Sequence, residues 1–174
     1  FYISGKQFPA YGYFFSHNEK YVLVKEANMW SADSYEHILF WEEEEITEEH
    51  IKGAESIIRN EMEAILVRKG EKYPEKNHMS SLLTIVMLGQ EPLSKEAAKR
   101  IKKFRFDKGY QFNIRGYSRG RIIAATMADR GVVASPDIKG SKKLFREVFK
   151  EVDEGRDGFE AVCKSQGVTC YTQE

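Results

Sequence analysis

Cysteine is nearly absent from this 174-residue chain, with only Cys163 and Cys170, both close to the C-terminus. No Cys-x-x-Cys occurs and no histidine lies near either residue. A structural zinc site, which usually needs four closely spaced Cys or His ligands, is therefore not expected there. Two reduced thiols in a cytosolic protein are the expectation, with a local disulfide as the alternative. The four histidines, His17, His37, His50 and His78, are dispersed, so no Ser-His-Asp set can be assigned. The longest apolar run, Leu82 to Leu88, has the length of a strand, far short of the ~20 residues of a membrane helix. No membrane partner is expected. Neither the Gly-rich phosphate loop nor the dinucleotide fingerprint occurs, and no cofactor is expected. Net charge is also missing, with 27 Lys and Arg against 27 Asp and Glu.

What is present describes a folded α+β chain. Hydrophobic residues make up 41% and aromatics 13%, the balance of a globular domain. The length suits one domain, assigned to residues 1–155, with a marginally ordered tail at 156–174. The chain opens on Phe1 rather than Met, which is compatible with a removed targeting segment. The first forty residues read as a β-meander: strands at 11–17 and 20–26, joined by a turn at "SHNEK", then a third at 35–44. Alternation places Ile38, Phe40 and Glu42 on one face of that third strand and His37, Leu39 and Trp41 on the other, so it is expected to be sandwiched. Thr47 caps a helix whose inner stripe is Ile51, Ala54, Ile58, Met62 and Ile65, stopped by Gly70. A buried strand at 79–89 follows. Ser94 then caps a second helix with Ala97, Ala98, Ile101 and Phe104 inward. Strands at 105–115, 120–128 and 131–138 precede a third helix at 141–153, with Leu144, Phe145, Val148, Phe149 and Val152 inward and Gly155 and Gly158 ending it. The sum is a mixed or antiparallel sheet, an N-terminal meander plus a β-α-β-β-β-α half, covered by about three helices.

The zero net charge hides a sorting along the chain. Residues 36–63 carry ten Glu against Lys52 and Arg59, a net −8, and residues 95–121 carry ten Lys or Arg against Glu96 and Asp107, a net +8. The run Glu42 to Glu45 reads as a solvated acidic edge, because neighbours on a strand point to opposite faces and cannot converge on a metal. The basic half suits an anion. Lys95, Lys99, Lys102 and Lys103 fall on one face of the second helix. "RGYSRGR" at 115–121 adds three arginines, with Gly116 and Gly120 to let backbone amides approach an anion. The candidate binding surface is therefore Arg115, Tyr117, Ser118, Arg119 and Arg121 beside Lys99, Lys102 and Lys103. The implied function is a non-enzymatic binding or regulatory module for an anionic ligand or nucleic acid. Opposite charge in the two segments also permits a charge-driven homodimer. Failing a charged contact, a face around Phe40 and Trp41 is the apolar alternative.

Two resemblances bear on this. The order of helix, three strands and helix over 94–153 resembles the core of the PD-(D/E)XK nucleases, with Asp129, Asp137 and Lys139 in the positions of the metal-binding acids and the lysine. A chain of this composition is expected to hold about two or three such acid-x-Lys triplets by chance, and this one holds a single example. The segments "HMSSLLTIV" (78–86), "FRFDKGYQF" (104–112), "RGYSRGR" and "GSKKLFREVF" (140–149) resemble a family of uncharacterised bacterial and archaeal proteins. That resemblance covers residues 6–155. The family usually shows Trp where Tyr117 stands and often Asn near Asp137. It implies a prokaryotic cytosolic protein and no particular activity.

Overall fold

A computed structural model describes residues 1–3, 5–20 and 30–165. The order of elements is β1 (Tyr2–Ile3), β2 (Lys6–Gln7), β3 (Ala10–Lys20), β4 (Trp30–Glu43), α1 (Glu48–Ser56), a π-helix (Ile57–Val67), β5 (His78–Gly89), α2 (Lys95–Lys103), β6 (Phe106–Gly109), β7 (Tyr117–Thr126), β8 (Val132–Ala134), a 3-10 turn (Pro136–Ile138) and α3 (Ser141–Ser165). β1 and β2 form a small antiparallel sheet, and the other six strands form one mixed sheet. β4, β5 and β7 run parallel through its centre. β3 joins β4 antiparallel at one margin. β6 and β8 share the far margin, pairing respectively with Phe106↔Gly120 to Gly109↔Tyr117 and with Ile123↔Ala134 to Ala125↔Val132. The expected α+β class holds.

The N-terminal region departs from a three-strand meander. "SHNEK" is no turn: Ser16 to Lys20 continue β3 and pair with Ser34 to Trp30. Local polarity suggested a turn, but cross-strand partners satisfy it, with His17 Nδ1 2.5 Å from Asp33 Oδ1. Most of the expected strand at 20–26 lies outside the described residues.

Both faces of the sheet are packed at its centre. Leu39, Trp41, Leu83, Ile85, Met87, Ile122 and Ala124 meet the layer formed by α1, the π-helix and α2. On the reverse face Val86 and Ile123 form a smaller cluster with Ala134, flanked by Ile38, Phe40, Leu88, Val132, Ile138 and Phe145. β4 is sandwiched as its alternation requires. Trp41 is buried and Phe40 half-buried against that second cluster, so this strand offers no exposed apolar face.

The helices start as their caps dictate. Thr47 and His50 exchange capping hydrogen bonds, each 3.3 Å, and Ser94 Oγ accepts from Ala97 N at 3.2 Å. The inner stripe then drifts. The π-helix, with i→i+5 bonds, holds more residues per turn than the 3.6 of an α-helix. The buried series is consequently Ile57, Ile58, Met62, Glu63 and Val67, and Ile65 is 48% exposed. Lys69 and Gly70, with φ of 52° and 82°, end the segment. α3 departs as well. Phe149 is buried and Phe145 half-buried, whereas Leu144, Val148 and Val152 are exposed, because the small reverse-face cluster accepts only one side of the helix. The helix passes through Gly155 and Gly158 to Ser165, so the tail expected from residue 156 begins inside it. Cys170 lies outside the described residues.

Gly120 fixes the spacing between the two layers. A Cβ there would lie 2.6 Å from Ile58 Cγ2 and 2.9 Å from Phe106 Cβ. Gly120→Ala must push the π-helix or β6 off the sheet, and overpacking of this kind costs about 1–3 kcal/mol. Urea denaturation will show that loss, with the slope of the transition unchanged.

His37 is buried beside β3, with Tyr11 Oη 2.7 Å from its Nδ1. Burial pushes its pKa down to about 4, and burial also lowers that of His78. Between that value and ~6.5 the unfolded chain binds more protons than the folded one. Stability is therefore full above about pH 6.5 and falls as pH drops towards 4, with His37 contributing about 3 kcal/mol of the loss. His37→Asn, which keeps an acceptor for Tyr11, will flatten this part of the pH profile in denaturant titrations.

Candidate anion-binding site

The segment 115–121 is not a loop folded around a ligand. Gly116 ends a turn and Tyr117 begins β7, so the side chains alternate between the two faces of the sheet. Ser118 is fully buried and points into the helical layer, where its Oγ lies 2.7 Å from Tyr110 Oη. Tyr117, Arg119 and Arg121 project from the other face. Each arginine already has an oxygen partner. Arg115 Nη1 donates to Pro74 O at 2.8 Å, Arg119 to Asp107 at 2.9 Å, and Arg121 Nη1 to Glu36 Oε1 at 3.1 Å. The hydrogen bond to Asp107 raises the pKa of Arg119. Burial pushes that of Arg121 below its ordinary value against the pull of Glu36, and Arg121 Nε is buried without a partner. The two glycines serve packing. A Cβ on Gly116, at φ 72°, would lie 2.1 Å from Met79 O, and Gly120 sits under Ile58.

Lys99 and Lys103 do share a concavity. A cleft of about 470 Å³ lies between α1 and α2, lined by Glu48, Glu55, Arg59, Lys99, Arg100 and Lys103, with Phe104 and Arg105 at its end and Glu96 at its side. Arg100 bridges the helices, 2.7 Å from Glu55 and 3.2 Å from Glu48. Here the −8 and +8 segments meet inside one chain. Arg59 instead donates to the carbonyl of Arg105 at 2.6 Å and stacks over Phe104 and Phe106. Arg105 donates to the carbonyls of Lys102 and Phe104. Among the described residues no carboxylate pairs with Arg59, Lys99, Lys103 or Arg105. Five cations and three carboxylates line the cleft, which leaves it net positive, with Arg59, Lys99, Lys103 and Arg105 outside its ion pairs. Lys102 lies beyond it, next to Lys142. That ammonium is lowered from its ordinary pKa by burial and by the charges of Lys102, Arg146 and Lys139.

The densest polar cluster was not foreseen from sequence. Glu63 is 1% exposed on the π-helix, directly against the sheet. It accepts from Arg68 Nε at 2.7 Å, Tyr110 Oη at 2.8 Å and Lys108 Nζ at 3.0 Å. Burial alone would raise its pKa; the hydrogen bonds from Arg68, Lys108 and Tyr110 outweigh that and hold it below the ordinary value. Burial pushes the Tyr110 phenol well up. Next to it, His78 joins Ser81 Oγ to the carbonyl of Arg115, both at 2.8 Å. No sequence signal marks the cluster: α-helical spacing puts Glu63 on the face away from Ile58, Met62 and Ile65, and the π-helical winding is what turns it inward.

Asp129 and Asp137, the acids that a nuclease reading would use, have separate local settings. Asp129 Oδ1 accepts from Thr126 Oγ1 at 2.6 Å and Gly131 N at 3.0 Å, closing the β7–β8 turn. Asp137 and Lys139 lie on and just after the 3-10 turn. Among the described residues no group of three His, Cys, Asp or Glu side chains could hold a metal ion. No helix there is long and apolar enough to cross a membrane.

A family model for a domain of unknown function, DUF8052, matches residues 1–147. The chain belongs to that family. No curated protein and no solved structure matches the chain. The DUF8052 match takes in every strand among the described residues, the cleft and the Glu63 cluster, and ends within α3. The resemblance noted above was to uncharacterised proteins, and this family is of that kind. Within the DUF8052 core, Glu63→Ala leaves Tyr110 and Arg68 without their shared acceptor. We expect a loss of about 3 kcal/mol in denaturant unfolding, the low end for a broken buried pair because Lys108 can reach water, and a smaller loss for Glu63→Gln.

Proposed function

We propose that this domain is a non-enzymatic binding module that takes an anionic ligand in the cleft between α1 and α2. The observation that carries this reading is the set of four cations, Arg59, Lys99, Lys103 and Arg105, around about 470 Å³ with no carboxylate partner among the described residues. A volume of that size is typical of small-ligand sites. Arg59 is held rigidly on Phe104 and Phe106, so little ordering remains to be done on binding. Arg100, fixed by two glutamates, ties the two helices together and has its own charge neutralised. Lys102, Lys139, Lys142 and Arg146 extend the positive surface beyond the cleft, which suits a ligand with more than one phosphate. The arginines of 115–121 do not line this cleft, and Arg119 and Arg121 are paired with Asp107 and Glu36.

Isothermal titration with pyrophosphate and with a short single-stranded oligonucleotide tests the reading. Binding is expected at ~50 mM salt and weakens steeply as salt rises. Replacing Lys99 and Lys103 with Ala abolishes it while stability moves by under ~0.5 kcal/mol for each exposed residue. Replacing Arg115, Arg119 and Arg121 leaves it in place. Failure of both probes to bind at ~50 mM salt overturns the proposal.

A further inference from the structure

β3 is an edge strand without the usual protections. Among the described residues only β4 pairs with it, so its outer backbone groups face no strand. Natural edges are blunted by charge, proline, bulges or short length. β3 runs eleven residues, has continuous register with β4, and carries no Lys, Arg, Asp, Glu or Pro from Ala10 to Asn18. It also exposes aromatics on both faces: Tyr13 at 56%, Phe14 at 64% and Phe15 at 46%. Phe15 and Tyr13 lie against Tyr35, with ring centroids 5.2 and 6.5 Å away, and Phe1 stacks on Tyr11 at 4.3 Å. These contacts hold the rings in place on the open strand.

We infer that β3 is the interface of a homodimer, in which the β3 strands of two copies pair antiparallel across a two-fold axis beside Phe14. Such an axis sets Phe14 against the partner's Phe14, Tyr13 against the partner's Phe15 and Gly12 against the partner's Ser16. The contact is self-complementary, as two-fold symmetry requires. Charge favours a second copy over a charged peptide, because self-pairing of residues 10–16 opposes no like charges. At about 200 Å² per aromatic side chain, the exposed fractions of the three rings give roughly 330 Å² per copy. Complete cover of the rings on both copies sets an upper limit of about 660 Å², so the paired backbone margins must supply the rest of the ~1,000 Å² that a specific interface needs. The contact is independent of the anion cleft and of the opposite charge of the two halves of the chain.

Sedimentation of the full chain at about 0.1 M and about 1 M NaCl tests this, since the Debye length falls to ~3 Å at the higher salt. The expected result is a dimer at both. Phe14→Lys sets two like charges across the axis and is expected to raise the dissociation constant at least about tenfold, with the circular dichroism of a folded chain. Should Phe14→Lys fail to fold, Ser16→Lys combined with Gly12→Lys, which oppose one another across the axis, makes the same test. A monomer at up to about 100 μM overturns the inference. A dimer that dissociates in high salt, or one that survives the lysine substitution in a folded chain, overturns it equally.

Discussion

A carboxylate inside a helix–sheet contact must keep donors around it, and the second half of this domain is arranged to supply them. Glu63 draws Arg68 from the end of its own helix, Lys108 from β6 and Tyr110 from the turn that follows. Tyr110 in turn bonds Ser118, so the first inward residue of β7 is polar by necessity. Between them the chain turns through Gln111, Phe112 and Asn113, all at positive φ, which a non-glycine residue adopts only at a cost of about 1–2 kcal/mol. That cost is offset by what the turn delivers, a phenol aimed at a buried acid. The π-helical winding belongs to the same arrangement, since it turns Glu63 and Val67 towards the sheet.

The sorting of charge along the chain resolves into two local outcomes. At the α1–α2 contact, acid and base cancel through Arg100. Beyond it they separate. Glu42, Glu43, Glu44 and Glu91 gather where the parallel strands β4 and β5 end, and the lysines of α2 collect on the far side of the helix layer. Exposed pairs contribute under about 1 kcal/mol each, so this partition says little about stability and much about which surface an anion approaches.

The parts of the fold legible in sequence were those set by local chemistry. Thr47 and Ser94 cap helices as their spacing predicts, and the alternation of β4 distinguishes its two packed faces. Features set by distant partners were not legible. Ser16 to Lys20 resemble a turn until Ser34 to Trp30 are laid beside them. Gly116 and Gly120 resemble an anion loop until Met79 and Ile58 are found where a Cβ would stand. Leu144, Val148 and Val152 resemble a core stripe, but only Phe145 meets the reverse-face cluster, while Phe149 is buried under Arg130. For the cleft, the basic face of α2 was readable. The contribution of Arg59 was not, because it depends on two aromatic rings more than forty residues away.

The margin of the sheet opposite β3 ends in two pieces: β6 covers four residues of β7 and β8 three. Neither is long enough to template the addition of another chain, and between them they pair with seven of the ten residues of β7. The sheet is thus polar in its capacity to grow, open on one side and finished on the other. Among the described residues β3 is the one long open edge, so pairing there leaves no second such edge to continue from, and an assembly built on it ends at a pair instead of a fibre.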